Sequence, residues 1–138
     1  MRGCVNESRR SCVVRGVGNS PLIGILDDEE HIRRALSRLL HAHQYRSMAF
    51  ATGAEFLAEA SRQRFDCVLL DLAMPDMTGF DVLEALGADP AAPPAIVITG
   101  VEDPKVFKRA KDLKAFECHG KPIRGEVLVG AIERALRR

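Results

Sequence analysis

Four places in this 138-residue chain put a side chain capable of chemistry where a short strand-like run stops. Asp27 and Asp28 follow Leu22 to Leu26 (LIGIL), Asp71 follows Cys67 to Leu70 (CVLL), Thr99 follows Ala95 to Ile98 (AIVI), and Lys121 follows Ala115 to His119 (AFECH). If these ends converge, three carboxylates share one crevice. At about 5 Å separation and an effective dielectric near 20 they would repel by roughly 3 kcal/mol per pair, so something positive must join them. Oxygen-only ligands select a hard cation, and Mg²⁺ keeping several waters fits best. A lysine there can hold a phosphoryl oxygen. An ionised carboxylate beside Mg²⁺, a lysine and a hydroxyl is a nucleophile for phosphoryl transfer, with an aspartyl phosphate as product.

The elements that must bring these residues together are legible in the pattern. Wholly apolar runs bounded by turn residues predict strands buried on both faces, and three are present (first, third and fourth). Tyr45 to Phe50 (YRSMAF) and Ala115 to His119 are mixed in polarity and suit edge strands. Between the runs lie helical patterns: Ile32, Ala35, Leu36, Leu39 and Leu40; then Phe56 and Leu57 behind a Thr52 to Glu55 capping box; then Phe80, Leu83 and Leu86 after Thr78 and Gly79. Asp103 and Pro104 supply an N-cap and a first-turn proline for a fourth helix, and Gly125 to Arg137 is the fifth. Five alternations of strand and helix predict an α/β fold, a doubly wound, five-stranded parallel sheet with five flanking helices. Placing the mixed strands at the edges gives the flavodoxin-like order 2-1-3-4-5, whose switch point lies between strands 1 and 3.

Composition bounds the rest. A 46% hydrophobic, 28% charged chain of this length reads as one soluble domain, and its apolar runs are too short to span a membrane. The absence of a signal-like apolar segment in residues 1–20 leads to an expected cytoplasmic location. Residues 1–20 lack periodicity and are expected to be a flexible extension, with the folded domain over 21–138. Arg2, Arg9, Arg10 and Arg15 against Glu7 give that extension +3, and the chain's +1 leaves −2 elsewhere. That is too little for a nucleic-acid reader. The four cysteines, Cys4, Cys12, Cys67 and Cys118, lack metal-ligand spacing and read as buried, reduced thiols.

Taken together, the acid pair, DLAMPDMTG around Asp71, the Thr99-Gly100 pair and Lys121-Pro122 resemble a response-regulator receiver domain, CheY-like and most similar to FixJ-type receivers. The resemblance covers residues 21–138 and implies a stand-alone receiver of two-component signalling without an output domain. It implies that Asp71 is phosphorylated by a histidine kinase or histidine phosphotransfer protein. Asp28, Asp71 and the Ala73 carbonyl would bind Mg²⁺, with Asp27 acting through water. Thr99 would turn toward the phosphoryl group, Lys121 would pair with it, and Lys121-Pro122 would be a cis peptide. Such a receiver catalyses its own phosphorylation and dephosphorylation without being an enzyme in the usual sense. Ala73 and Val101 stand where receivers orient the attacking water, and neither can do so, which implies slow loss of phosphate.

One departure concerns switching: the aromatic that receivers carry three residues before the lysine is here Cys118. Signalling is therefore expected to run from Thr99 through the Gly100 to Asp103 loop into the fourth helix. That helix is basic, with Lys105, Lys108, Arg109, Lys111 and Lys114, and with strand 5 and helix 5 it is a candidate docking face for a downstream protein. The alternative to a phosphorylated switch is a phosphorylation-independent pseudo-receiver. A haloacid-dehalogenase-like phosphohydrolase fits less well, because the acid it needs two residues after its nucleophile is here Ala73. His31, His41 and His43 read as solvated surface residues.

Overall fold

Residues 20–72, 79–100 and 103–138 are described by a computed structural model. In chain order they form β1 (Leu22–Leu26), α1 (Glu30–Ala42), β2 (Arg46–Phe50), α2 (Gly53–Ala60), β3 (Cys67–Leu70), α3 (Gly79–Gly87), β4 (Ala95–Thr99), α4 (Pro104–Asp112), β5 (Glu117–Gly120) and α5 (Gly125–Arg137). The strands make one parallel sheet in the order β2-β1-β3-β4-β5, as the polarity of the runs requires. Every residue of β1, β3 and β4 is buried, whereas β2 and β5 are largely half-exposed at the two edges.

Side chains alternate across a strand, so each central strand feeds two cores. Leu22, Leu26, Val68, Leu70 and Val97 join Phe56, Val82, Leu83 and Ala110 under α2, α3 and α4. Ile23, Ile25, Leu69, Ile96 and Ile98 join Leu40, Leu128 and Ile132 under α1 and α5. Burying each such aliphatic side chain contributes about 1.5–3 kcal/mol. The buried stripe of α5, Leu128, Ala131, Ile132 and Ala135, keeps the helical spacing that faces one side of a sheet.

Helix boundaries follow their caps. Thr52 Oγ1 accepts the Glu55 N–H at 3.1 Å, and Asp103 Oδ1 accepts that of Lys105 at 2.9 Å. Two expected strand starts need correction, for one shared reason. Gln44 (φ 69°) and Lys114 (φ 75°) end α1 and α4 in the left-handed region, and the next residues close the helices by donating Tyr45 N–H to Leu40 O and Ala115 N–H to Ala110 O. Tyr45 therefore belongs to the turn, and β2 starts at Arg46. Ala115 and Phe116 likewise precede β5, whose pairing begins at Ile96 with Glu117 and runs one residue past His119 to Gly120. Of the expected extension over residues 1–20, only Ser20 is among the described residues.

Candidate functional site

Asp27, Asp71 and Lys121 are each pinned by a backbone bond just past the strand that carries them. Asp27 N–H donates to Phe50 O at 3.2 Å, tying the end of β1 to β2, and Asp71 N–H donates to Leu26 O at 3.0 Å, tying the end of β3 to β1. Lys121 N–H donates to Thr99 O at 2.8 Å, which fixes the lysine beside the end of β4. The parallel ladder thus carries four strand ends to one rim of the sheet.

Gly79 completes the arrangement from the other side of the Asp71 loop. Its N–H donates to Leu72 O at 2.8 Å, and a Cβ at this position would collide with Asp71 O and lie 2.5 Å from Leu72 Cα. Only glycine allows α3 to start this close to the backbone that carries Asp71.

Asp27, Asp28 and Asp71 each bring a carboxylate oxygen to within 4.8 Å of the others. Asp27 and Asp71 are buried, at 3% and 6% exposure, and Asp28 is exposed. Lys121 Nζ donates to Asp27 Oδ2 at 3.0 Å and to Asp71 Oδ2 at 3.4 Å. Burial alone would lower the lysine's pKa, but the Asp27 hydrogen bond and the nearby Asp71 and Asp27 charges outweigh it and raise the pKa above its ordinary value. Asp27 Oδ1 is also engaged, accepting the Glu29 N–H at 2.9 Å, and the Asp27 carbonyl accepts from Arg33 at 2.8 Å. Three oxygen donors at this spacing suit a hard divalent cation, and one lysine leaves their charge only partly offset.

The family described as response regulator receiver domain matches residues 23–133. This chain belongs to that family. The Pseudomonas putida response regulator protein TodT is 34% identical over 116 residues, covering 84% of this chain and 51% of TodT. The transcriptional regulatory protein FixJ of Rhizobium meliloti is 35% identical over 113 residues, covering 82% of this chain and 55% of FixJ, in line with the FixJ-type motifs. The structure of the Vibrio cholerae chemotaxis protein CheY4 superposes with a TM-score of 0.80 at 29% identity, over 85% of this chain and 99% of that one. The receiver spans about half the length of the curated relatives it matches. Receivers of two-component systems are phosphoacceptors rather than classical enzymes, bind Mg²⁺ at an acidic pocket, and act with histidine kinases or phosphotransfer proteins.

The fold brings Asp27, Asp28, Asp71, Thr99 and Lys121 of this receiver to one rim, with Thr99 fully buried and Lys121-Pro122 in the cis form. Ala73 and Val101 lie outside the described residues. Cys118 sits among α4-side residues of the sheet, half-buried rather than buried, and packs with Val106 and Leu113 against the buried cluster that holds Val97 and Ala110. Burial pushes its thiol pKa up, with a smaller opposing pull from Lys111. The His119 ring pairs with Glu117 at 2.9 Å, and both alternate with Cys118 along β5. Hydrogen bonds from Arg134 hold the Glu117 carboxyl down at about 2, against a desolvation penalty and with help from His119.

Two contacts are not marked as such by the sequence pattern. Glu29, which a first-turn acid's affinity for the helix dipole would explain, lies 3.7 Å from Lys121. Its position directly after the acid pair was the available signal. Phe80, one residue past Gly79, stacks under Arg109 of α4 at 4.1 Å from the ring centroid, and no local pattern marks that pairing. Among the described residues no helix is long and apolar enough to cross a membrane.

Proposed function

We propose that Asp71 accepts a phosphoryl group from a histidine kinase or histidine phosphotransfer protein in a Mg²⁺-dependent reaction, and that the modified receiver changes its binding to a downstream protein. The observation that carries this reading is the Lys121 ammonium lying between Asp27 and Asp71, at 3.0 and 3.4 Å, beside a third carboxylate. A purely structural lysine has no need of three carboxylates at one strand-end crevice. Asp28, Asp71 and the Ala73 carbonyl would hold the ion directly. Asp27, whose two oxygens already accept bonds from Glu29 and Lys121, would act through water. The bound ion would offset the carboxylate charge and that of the incoming phosphoryl oxygens.

In the transfer, an Asp71 carboxylate oxygen forms a bond to phosphorus as the bond from phosphorus to the donor's imidazole nitrogen breaks. Lys121 bonds a phosphoryl oxygen, and Thr99, at the adjacent strand end, turns its hydroxyl to the same group. Water later hydrolyses the acyl phosphate and restores the carboxylate. Because Cys118 is too small to follow Thr99 as an aromatic ring would, the change passes from Thr99 into α4. Exposed Lys105 and Lys108, on the side of α4 opposite buried Ala110, and exposed Lys111 on its flank suit an acidic partner, with β5 and α5 completing the face.

Incubation with acetyl phosphate and Mg²⁺, followed by intact mass measurement, tests the reading. One added phosphoryl group in wild type and none in Asp71→Asn supports it. No gain in wild type would favour the phosphorylation-independent module instead.

A further inference from the structure

The three acidic neighbours of Lys121 are not equivalent. Its Nζ lies 3.0 Å from Asp27, 3.4 Å from Asp71 and 3.7 Å from Glu29. The Asp27 and Asp71 side chains are 5% and 6% exposed, while that of Glu29 is 50% exposed. The Glu29 backbone is fixed, since its N–H donates to Asp27 Oδ1 and its carbonyl accepts from Ile32 and Arg33. Glu29 is the N-cap residue of α1, yet its side chain makes no capping bond and stands beside the lysine instead.

We propose that Glu29 is a positioning residue that holds Lys121 in the resting state and selects against highly anionic phosphodonors by competing with the phosphoryl oxygen for that ammonium. The inference rests on the reading that Asp71 accepts the phosphoryl group. For Lys121 to receive a phosphoryl oxygen it must give up a carboxylate. Leaving Asp27 or Asp71 strips a buried charge of its partner, whereas Glu29 can turn into water at little cost. With acetyl phosphate as donor, the bond from phosphorus to the acetate oxygen breaks, acetate leaves with the electron pair, and the Asp71 oxygen takes its place on phosphorus. The donor brings its negative charge past the half-exposed Glu29 carboxylate, so like-charge repulsion slows entry in a salt-dependent way.

The test compares initial phosphorylation rates, read by intact mass at saturating Mg²⁺, for wild type, Glu29→Gln and Glu30→Gln. Acetyl phosphate and phosphoramidate, which carries one negative charge fewer at neutral pH, serve as donors at low and high salt. Glu30 is a matched control: it is the next residue, is also exposed, and pairs with Arg34 at 3.1 Å. Glu29→Gln should react about fivefold faster with acetyl phosphate at low salt, the scale of an exposed ion pair, and the gain should shrink in high salt and with phosphoramidate. Glu30→Gln should stay near wild type. A Glu29→Gln rate equal to wild type, an equal gain in Glu30→Gln, or a gain indifferent to salt and donor charge would overturn the inference while leaving the phosphoacceptor reading intact. A wild type that takes no phosphoryl group from either donor removes that reading and this inference with it.

Discussion

Lys121 donates to the Asp27 carboxylate across 3.0 Å, joining residues 94 positions apart in the chain at one rim of the sheet. This bond and its 3.4 Å companion to Asp71 are what hold a partly compensated acidic cluster in a folded protein.

Because those contacts raise the Lys121 pKa above its unfolded value, the stability they contribute is complete below that value and is lost as pH rises through the folded one. Lys121→Met in Mg²⁺-free buffer at neutral pH should be less stable by about 1–3 kcal/mol, since two buried carboxylates lose a partner that is itself partly solvated. Urea unfolding from neutral pH to roughly pH 11.5 should show the gap to wild type narrowing once the lysine starts to titrate, above about pH 10.4. A gap that stays constant across that range would contradict the pairing.

Direct and water-mediated ligation predict different losses of Mg²⁺ affinity. Asp28→Ala should abolish measurable binding by calorimetry, while Asp27→Ala should weaken it by about tenfold, the scale of an outer-shell change. Wild-type affinity in Asp28→Ala would show that the exposed acid is not a ligand.

The backbone contact at Gly79 predicts a substitution effect unrelated to charge. In Gly79→Ala the added methyl meets the Asp71 and Leu72 backbone, so about 1–3 kcal/mol of stability should be lost to overpacking. Phosphoryl acceptance should fall with it, because relief requires the Asp71 segment to shift. An unchanged denaturation midpoint would mean that α3 can start further from β3 than its contacts indicate.

Thr99 and Cys118 should separate under hydrogen exchange. Cys118→Ala should keep the phosphorylation-induced change in α4 amide exchange, and Thr99→Ala should lose it. The opposite pattern would assign the switch to the half-buried cysteine.

How far the sequence reaches depends on the kind of signal. The apolar runs of β1, β3 and β4 are buried on both faces, so their composition alone marks them as central and sends the mixed runs to the edges. The site was legible because Asp27, Asp28, Asp71, Thr99 and Lys121 all fall at strand ends, where a parallel sheet collects them. The starts of β2 and β5 were not. Gln44 and Lys114 adopt a left-handed conformation that sequence reading associates with glycine, so nothing local announced the turns. Glu29 near Lys121 and Arg109 over Phe80 are contacts between distant segments, set by where α1, β5, α3 and α4 come to rest.

A phosphorylated Asp71 is told from a phosphorylated neighbouring acid by the position of the acyl phosphate. Borohydride reduces an acyl phosphate to the alcohol and converts a phosphorylated aspartate to homoserine, so reduction after acetyl phosphate treatment, followed by peptide mass mapping, reads the position directly. Homoserine is expected at position 71, with unmodified aspartate at Asp27 and Asp28. Homoserine at either of those two positions, with Asp71 unchanged, would contradict the assignment to Asp71.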